Sequence, residues 1–121
     1  MPAKNKILLV DDERAILRVL SIKLKVCGYE VITALKGQEA LELVQSAKPD
    51  IMLLDVIMPG MDGFEVLRDL RTISKLPVIV FSARPENSQK ALTCGANDFL
   101  AKPFNPDDLV KRIALLLDTQ T

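Results

Sequence analysis

Asp50-Ile51-Met52-Leu53-Leu54-Asp55-Val56-Ile57-Met58-Pro59-Gly60 is an apolar run that breaks off at an acid. Ile51 to Leu54 leave no polar face, which suits a strand covered on both sides in a parallel sheet. Asp55 stands where that strand leaves the core. Open α/β sheets bind ligands just outside the carboxyl ends of their strands, so a lone carboxylate at that point is a candidate reactive group.

The pattern recurs on either side. Ile7 to Val10 is wholly apolar and ends in Asp11-Asp12-Glu13, Val78 to Phe81 ends in Ser82-Ala83, and the brief run Asn97 to Ala101 ends in Lys102-Pro103. Tyr29 to Ala34 is rich in β-branched residues with partial alternation, as expected of a strand near a sheet edge. Between these runs the apolar period becomes helical. Ile16, Leu20, Leu24 and Cys27 recur before a stop at Gly28, and Ala40, Leu41, Val44 and Ala47 follow Gly37-Gln38-Glu39 and end before Pro49. Phe64, Leu67 and Leu70 follow Asp62, which stands three residues before Glu65 as in a capping box. Leu109, Ile113, Leu116 and Leu117 follow a cap at Asn105 and Pro106 at the first helical position. Arg84 to Cys94 reads as a short, weakly amphipathic helix with Ala91 and Leu92 as its main apolar residues, and Pro85, Glu86 and Asn87 suit a turn or a late start.

Strand and helix therefore alternate five times, (βα)5. Buried parallel strands need cover on both faces and right-handed crossovers, so the expected fold is α/β, a flavodoxin-like three-layer sandwich with a five-stranded parallel sheet. The common strand order for five such units is 2-1-3-4-5. In it the first and third strands are neighbours, which brings Asp11, Asp12 and Asp55 together. Residues 1–121 read as one domain with a core of about 6–117, and no linker, repeat or output domain is visible.

The composition, 49% hydrophobic and 26% charged, is that of a folded globular chain. Lys+Arg and Asp+Glu balance at 16 each, without the basic excess of a nucleic-acid binder, so direct DNA or RNA binding by this domain is not expected. Met1 to Lys6 is short and polar, and no apolar run approaches the roughly 18 residues of a membrane span, which points to the cytoplasm. Cys27 and Cys94 lack metal or redox spacing and read as reduced, partly buried thiols.

Three carboxylates in one cleft repel each other, and they either raise one another's pKa or take up a cation. An all-oxygen set suits a hard divalent ion such as Mg2+ (or Mn2+). Lys102 can pair with a carboxylate or a phosphoryl oxygen, and Ser82 can donate to the same oxygen. Each residue alone has an ordinary explanation: the acidic pair as a helix cap, Asp55 as a turn former, Ser82 and Lys102 as structural or solvated groups. Their joint placement at the ends of different strands favours a site.

These residues carry a resemblance spanning nearly everything from Lys6 to Leu117. Ile7-Leu8-Leu9-Val10-Asp11-Asp12-Glu13, Leu53-Leu54-Asp55-Val56-Ile57-Met58-Pro59-Gly60-Met61-Asp62-Gly63, Phe81-Ser82-Ala83, Gly95-Ala96-Asn97-Asp98-Phe99-Leu100 and Ala101-Lys102-Pro103-Phe104 resemble the landmarks of a response-regulator receiver domain of two-component signalling. The resemblance implies a cytoplasmic phosphorelay switch. Asp55 would accept a phosphoryl group from a histidine kinase, a phosphotransfer protein or a small phosphodonor. Asp11 and Asp12, with Asp55 and the backbone carbonyl of Ile57, would hold Mg2+. Lys102 would pair with the phosphoryl group, Ser82 would move to hydrogen-bond it, and the Lys102-Pro103 bond would be cis. Phe99 would enter the space Ser82 vacates and shift the surface of the fourth helix, fifth strand and fifth helix. Such a domain is not an enzyme beyond its own phosphorylation and dephosphorylation. It works through a downstream protein or a linked output domain, and a phosphorylation-dependent homodimer is among the implied assemblies.

Two departures stand out. Many members carry tyrosine where this chain has Phe99, and the stretch from Ser82 to Gly95 is a couple of residues shorter than usual, which puts the fourth helix and partner choice in question. Rival readings are a receiver that never phosphorylates and a Mg2+-dependent aspartyl phosphatase of the haloacid-dehalogenase type. The second would need an aspartate where Ile57 stands, and Ile57 cannot move a proton. A flavodoxin-like cofactor binder is disfavoured by the negative charge of Asp11-Asp12-Glu13 where a phosphate would dock.

Overall fold

The computed structural model describes residues 4–58 and 61–118; Pro59 and Gly60, at the end of the decisive stretch, lie outside the described residues. Five parallel strands, β1 (Lys6–Val10), β2 (Glu30–Ala34), β3 (Ile51–Asp55), β4 (Val78–Ser82) and β5 (Asp98–Ala101), form one sheet in the order β2-β1-β3-β4-β5, as expected. They alternate with α1 (Arg14–Val26), α2 (Gly37–Ala47), α3 (Gly63–Arg71), α4 (Asn87–Thr93) and α5 (Pro106–Asp118).

Side-chain alternation along the strands divides the core in two. Leu8, Val10, Met52, Leu54, Val78 and Val80 face α2, α3 and α4, whereas Ile7, Leu9, Ile51, Leu53, Ile79 and Phe81 face α1 and α5. Because both faces are covered, the central strands need apolar residues at every position, and Ile7–Val10, Ile51–Leu54 and Val78–Phe81 are all fully buried. No helix of the described residues is long and apolar enough to cross a membrane.

One expectation is corrected, and two local features are resolved. Cys27 is exposed, because the buried stripe of α1 runs through Leu17, Leu20 and Leu24. The fourth helix starts only at Asn87: Arg84 to Glu86 form a turn in which Asn87 N donates to Arg84 O and Ser88 N to Pro85 O. The segment after Asp55 forms a small antiparallel ribbon, Ile57–Met58 against Met61–Asp62.

That ribbon delivers the chain into α3. Asp62 accepts from Phe64 N at 2.9 Å, the predicted cap, and Gly63 N donates to Val56 O at 3.4 Å. A Cβ on Gly63 would run into the backbone Cα of Val56, and main chain cannot rotate aside as a flexible side chain would. Gly63→Ala is therefore expected to destabilise the fold by about 1–3 kcal/mol, read as a lower urea midpoint at unchanged m-value.

Candidate functional site

The register of the sheet assembles the site. Pairing of Val10 with Leu54 makes Asp11 and Asp55 the next residues on adjacent strands, and pairing of Ser82 with Ala101 makes Lys102 the first residue past β5. Lys102 lies 91 positions from Asp11 and 47 from Asp55, yet its Nζ donates to Asp11 Oδ2 at 3.1 Å and to Asp55 Oδ2 at 3.0 Å. It also stands 3.7 Å from Glu13 Oε1 and 5.0 Å from the centre of the Phe81 ring. The Lys102-Pro103 peptide bond is cis, as expected.

Backbone amides take the other carboxylate oxygens. Glu13 N donates to Asp11 Oδ1 at 3.0 Å and Ile57 N to Asp55 Oδ1 at 2.9 Å, so Asp55 closes the turn its ordinary reading expects, Asp11 closes a turn of its own rather than capping α1, and each presents a second oxygen to the pocket. Asp11 is fully buried and Asp55 is 3% exposed. Asp12 and Glu13 stand at the open edge, and carboxylate oxygens of Asp11, Asp12, Glu13 and Asp55 all lie within 4.8 Å of one another. Four carboxylates thus face one ammonium.

The electrostatics follow from that imbalance. Burial raises the Asp11 carboxyl from 3.8 to about 6; the Asp55 charge pushes the same way, while the Glu13 amide and Lys102 oppose it. For Lys102 burial acts to lower the pKa, but its bonds to Asp55 and Asp11 outweigh that and the ammonium is held above its ordinary value. Four oxygen donors, two of them solvent-facing, match the chemistry of Mg2+ or Mn2+, which accept carboxylates and retain waters.

The remaining predicted residues surround this core. Ser82 is fully buried, but its Oγ is turned to α4, accepting from Arg84 N and from Asn87 Nδ2 at 3.0 Å each. Phe99 is half-buried, pairs with Val80 across the sheet and packs on the same core cluster as Val80, Ala91 and Ala96. Sequence reasoning missed two participants. Glu13 belongs to the acidic cluster and was legible only as the tail of the Asp11-Asp12-Glu13 run. Asn87 suits a turn or a late helix start from sequence, and it is the late start of α4 that folds its amide back onto Ser82.

The model of the response regulator receiver domain matches residues 7–114 of this chain. A probable transcriptional regulator, ycf27, of Cyanophora paradoxa is 44% identical over 116 residues, covering 94% of this chain and 48% of that protein. The alkaline phosphatase synthesis transcriptional regulatory protein PhoP of Bacillus subtilis is 41% identical over 116 residues, covering 93% and 48%. The chain thus spans about half the length of the curated relatives it matches. The receiver domain of the Francisella response regulator 1452 has the same fold, with a TM-score of 0.91 and 33% identity over 98% of this chain and 100% of that one. With the strand order, the acidic cluster and its bridging lysine, these likenesses show that the chain belongs to the response regulator receiver domain family.

Proposed function

We propose that Asp55 is the phosphoacceptor of a two-component phosphorelay and that its phosphorylation sets the state of a partner-binding surface. The observation that carries this reading is the pair of bonds from Lys102 Nζ to Asp55 and Asp11, which holds Asp55 Oδ2 at the pocket beside an acidic cluster. Asp55 Oδ attacks the phosphorus of a phosphohistidine or small phosphodonor, the bond from phosphorus to the donor breaks, and the donor group leaves with the electron pair. Lys102 follows the new phosphoryl oxygens as a point cation, and the Ile57 amide keeps the carboxylate oriented. Asp11, Asp12 and Asp55, with the Ile57 carbonyl, would hold Mg2+ or Mn2+, which neutralises charge on the transferred group. Glu13 adds negative charge at the same edge. The partners would be a histidine kinase or phosphotransfer protein and an output module, linked or separate; that relatives are named transcriptional regulators supports an output in transcription.

The ring of Phe99 shares a sheet face with Ser82, because its partner Val80 lies two residues before Ser82 on β4. When Ser82 turns to the phosphoryl group, the vacated space admits the ring, and the surface of α4, β5 and α5 shifts.

Incubation with Mg2+ and acetyl phosphate tests the acceptor role. Intact mass is expected to show one added phosphoryl group on the wild type and none on Asp55→Asn; a wild type that stays unmodified in donor excess supports the phosphorylation-independent receiver instead. A second expectation concerns pH. Between about pH 4 and 6 folded Asp11 holds a proton that the unfolded chain has released, so stability in EDTA falls as pH rises through this window, on the order of 2 kcal/mol. Urea midpoints should lose that slope in Asp11→Asn, and saturating Mg2+ should restore stability above pH 6; a wild type without the falling limb contradicts the assignment. Finally, Phe99→Ala should confine phosphorylation-induced amide shifts to the pocket in a 15N spectrum. Wild-type shifts persisting through β5 and α5 would exclude the ring as the relay.

A further inference from the structure

Ser82 Oγ already has two donors in this structure, and they differ in kind. Arg84 N is a local turn amide two residues on, whereas Asn87 Nδ2 belongs to the first residue of α4. Asn87 has this position because the turn from Ser82 to α4 is so short: Asn87 N is bonded to Arg84 O and Ser88 N to Pro85 O, which folds the start of the helix directly over the end of β4.

The two ends of α4 are held very differently. Beyond its C-terminus, Gly95 takes a φ of +110° that L side chains rarely adopt, and its carbonyl accepts from Arg71 Nε at 3.0 Å and Arg71 Nη2 at 2.8 Å. Arg71 Nη2 also reaches Asn97 Oδ1, which in turn accepts from Val78 N at the start of β4. Ala91, in the helix, is fully buried. At the N-terminal end Glu86 makes no side-chain cap; further along the helix Lys90 lies over the Phe64 ring at 4.4 Å, and Leu92, near the C-terminus, is exposed. Among the described residues, the side-chain hydrogen bond from the first turn of α4 to the sheet is the Asn87–Ser82 bond.

From this asymmetry we infer that Asn87 is a positioning residue, a latch through which the hydroxyl of Ser82 controls the N-terminal turn of α4. The inference rests on the proposed role of Ser82 toward a phosphorylated Asp55. With Ser82 turned outward the latch is closed. When Ser82 swings to donate to a phosphoryl oxygen, its Oγ leaves Asn87, and the first turn of α4 is freed to pivot about the end fixed by Arg71 and Ala91. The latch also opposes phosphorylation, because Ser82 must give up the Asn87 bond before it can serve the phosphoryl group.

Amide hydrogen exchange over residues 84–92, read by mass spectrometry on the full chain with and without acetyl phosphate and Mg2+, tests this. Without donor, Asn87→Ala should exchange about fivefold faster than wild type across this segment, the worth of one modest hydrogen bond, while residues 95–101 stay unchanged. Phosphorylation of the wild type should bring the same acceleration, and phosphorylation of Asn87→Ala should add almost none. Asn87→Leu guards against a trivial helix effect, since leucine favours the helix more than asparagine does but can neither donate to Ser82 nor accept from it; it too should exchange fast without donor. Wild-type protection in both variants would overturn the latch. So would an undiminished phosphorylation response in Asn87→Ala. A wild type that takes no phosphoryl group instead overturns the acceptor reading, and the donor-free comparison still decides whether Asn87 holds α4.

Discussion

The bridge from Lys102 to Asp11 and Asp55 is the interaction on which the rest of this structure depends. Two carboxylates buried side by side on adjacent strands repel each other, and an uncompensated charge in such a place costs several kcal/mol. One ammonium answers both, at 3.1 and 3.0 Å. The bridge can form only if the first, third and fifth strands end at the same edge of one sheet. Strand order, register and parallel direction are therefore all read out in a single contact. The pairing is incomplete by design of the composition: Asp12 and Glu13 leave the cluster more acidic than Lys102 can offset, and this surplus is what a divalent cation would relieve.

The pocket lies at the carboxyl edge of the sheet, and the alternation of side chains explains how an event there would be reported to the face that α4 covers. Phe81 faces α1 and α5 and forms part of the wall beneath Lys102, whereas Ser82, the next residue, belongs with Val80 and Phe99 on the side of α4. A rotation at Ser82 would cross from the charged pocket to the α4 face without moving the central strands. Those strands are fully buried and tightly packed, so motion is confined to the short segments beyond their ends. The late start and small buried area of α4 place it at the yielding end of that range.

Most of the fold was legible because the local signals agreed with the global arrangement. Apolar runs ending in polar residues marked the buried strands, and Asp62, Pro106 and Gly95 punctuated the helices where the structure has them. Where the sequence misleads or leaves a choice, the cause is shared. Cys27 continued the helical period of α1 but lies past the last covered turn, so periodicity alone placed it in the core. The start of α4 was blurred because its buried face is little more than Ala91, too small to impose a period. In the site, Asp11, Asp55 and Lys102 could be located because each is the first polar residue after an apolar strand. The turning of Ser82 toward Asn87 could not be, since it depends on the backbone path of a short turn rather than on residue type.

The central claim is that Asp55, and no other carboxylate of the cluster, forms the acyl phosphate. Its most direct measurement is borohydride reduction of the chain after phosphorylation by acetyl phosphate with Mg2+, followed by peptide sequencing in the mass spectrometer. Borohydride converts an aspartyl phosphate to homoserine and leaves free carboxylates and phosphate esters untouched. The account predicts homoserine at position 55 alone. Homoserine at position 11 or 12, or a phosphoryl group that survives reduction on a hydroxyl side chain, would contradict it.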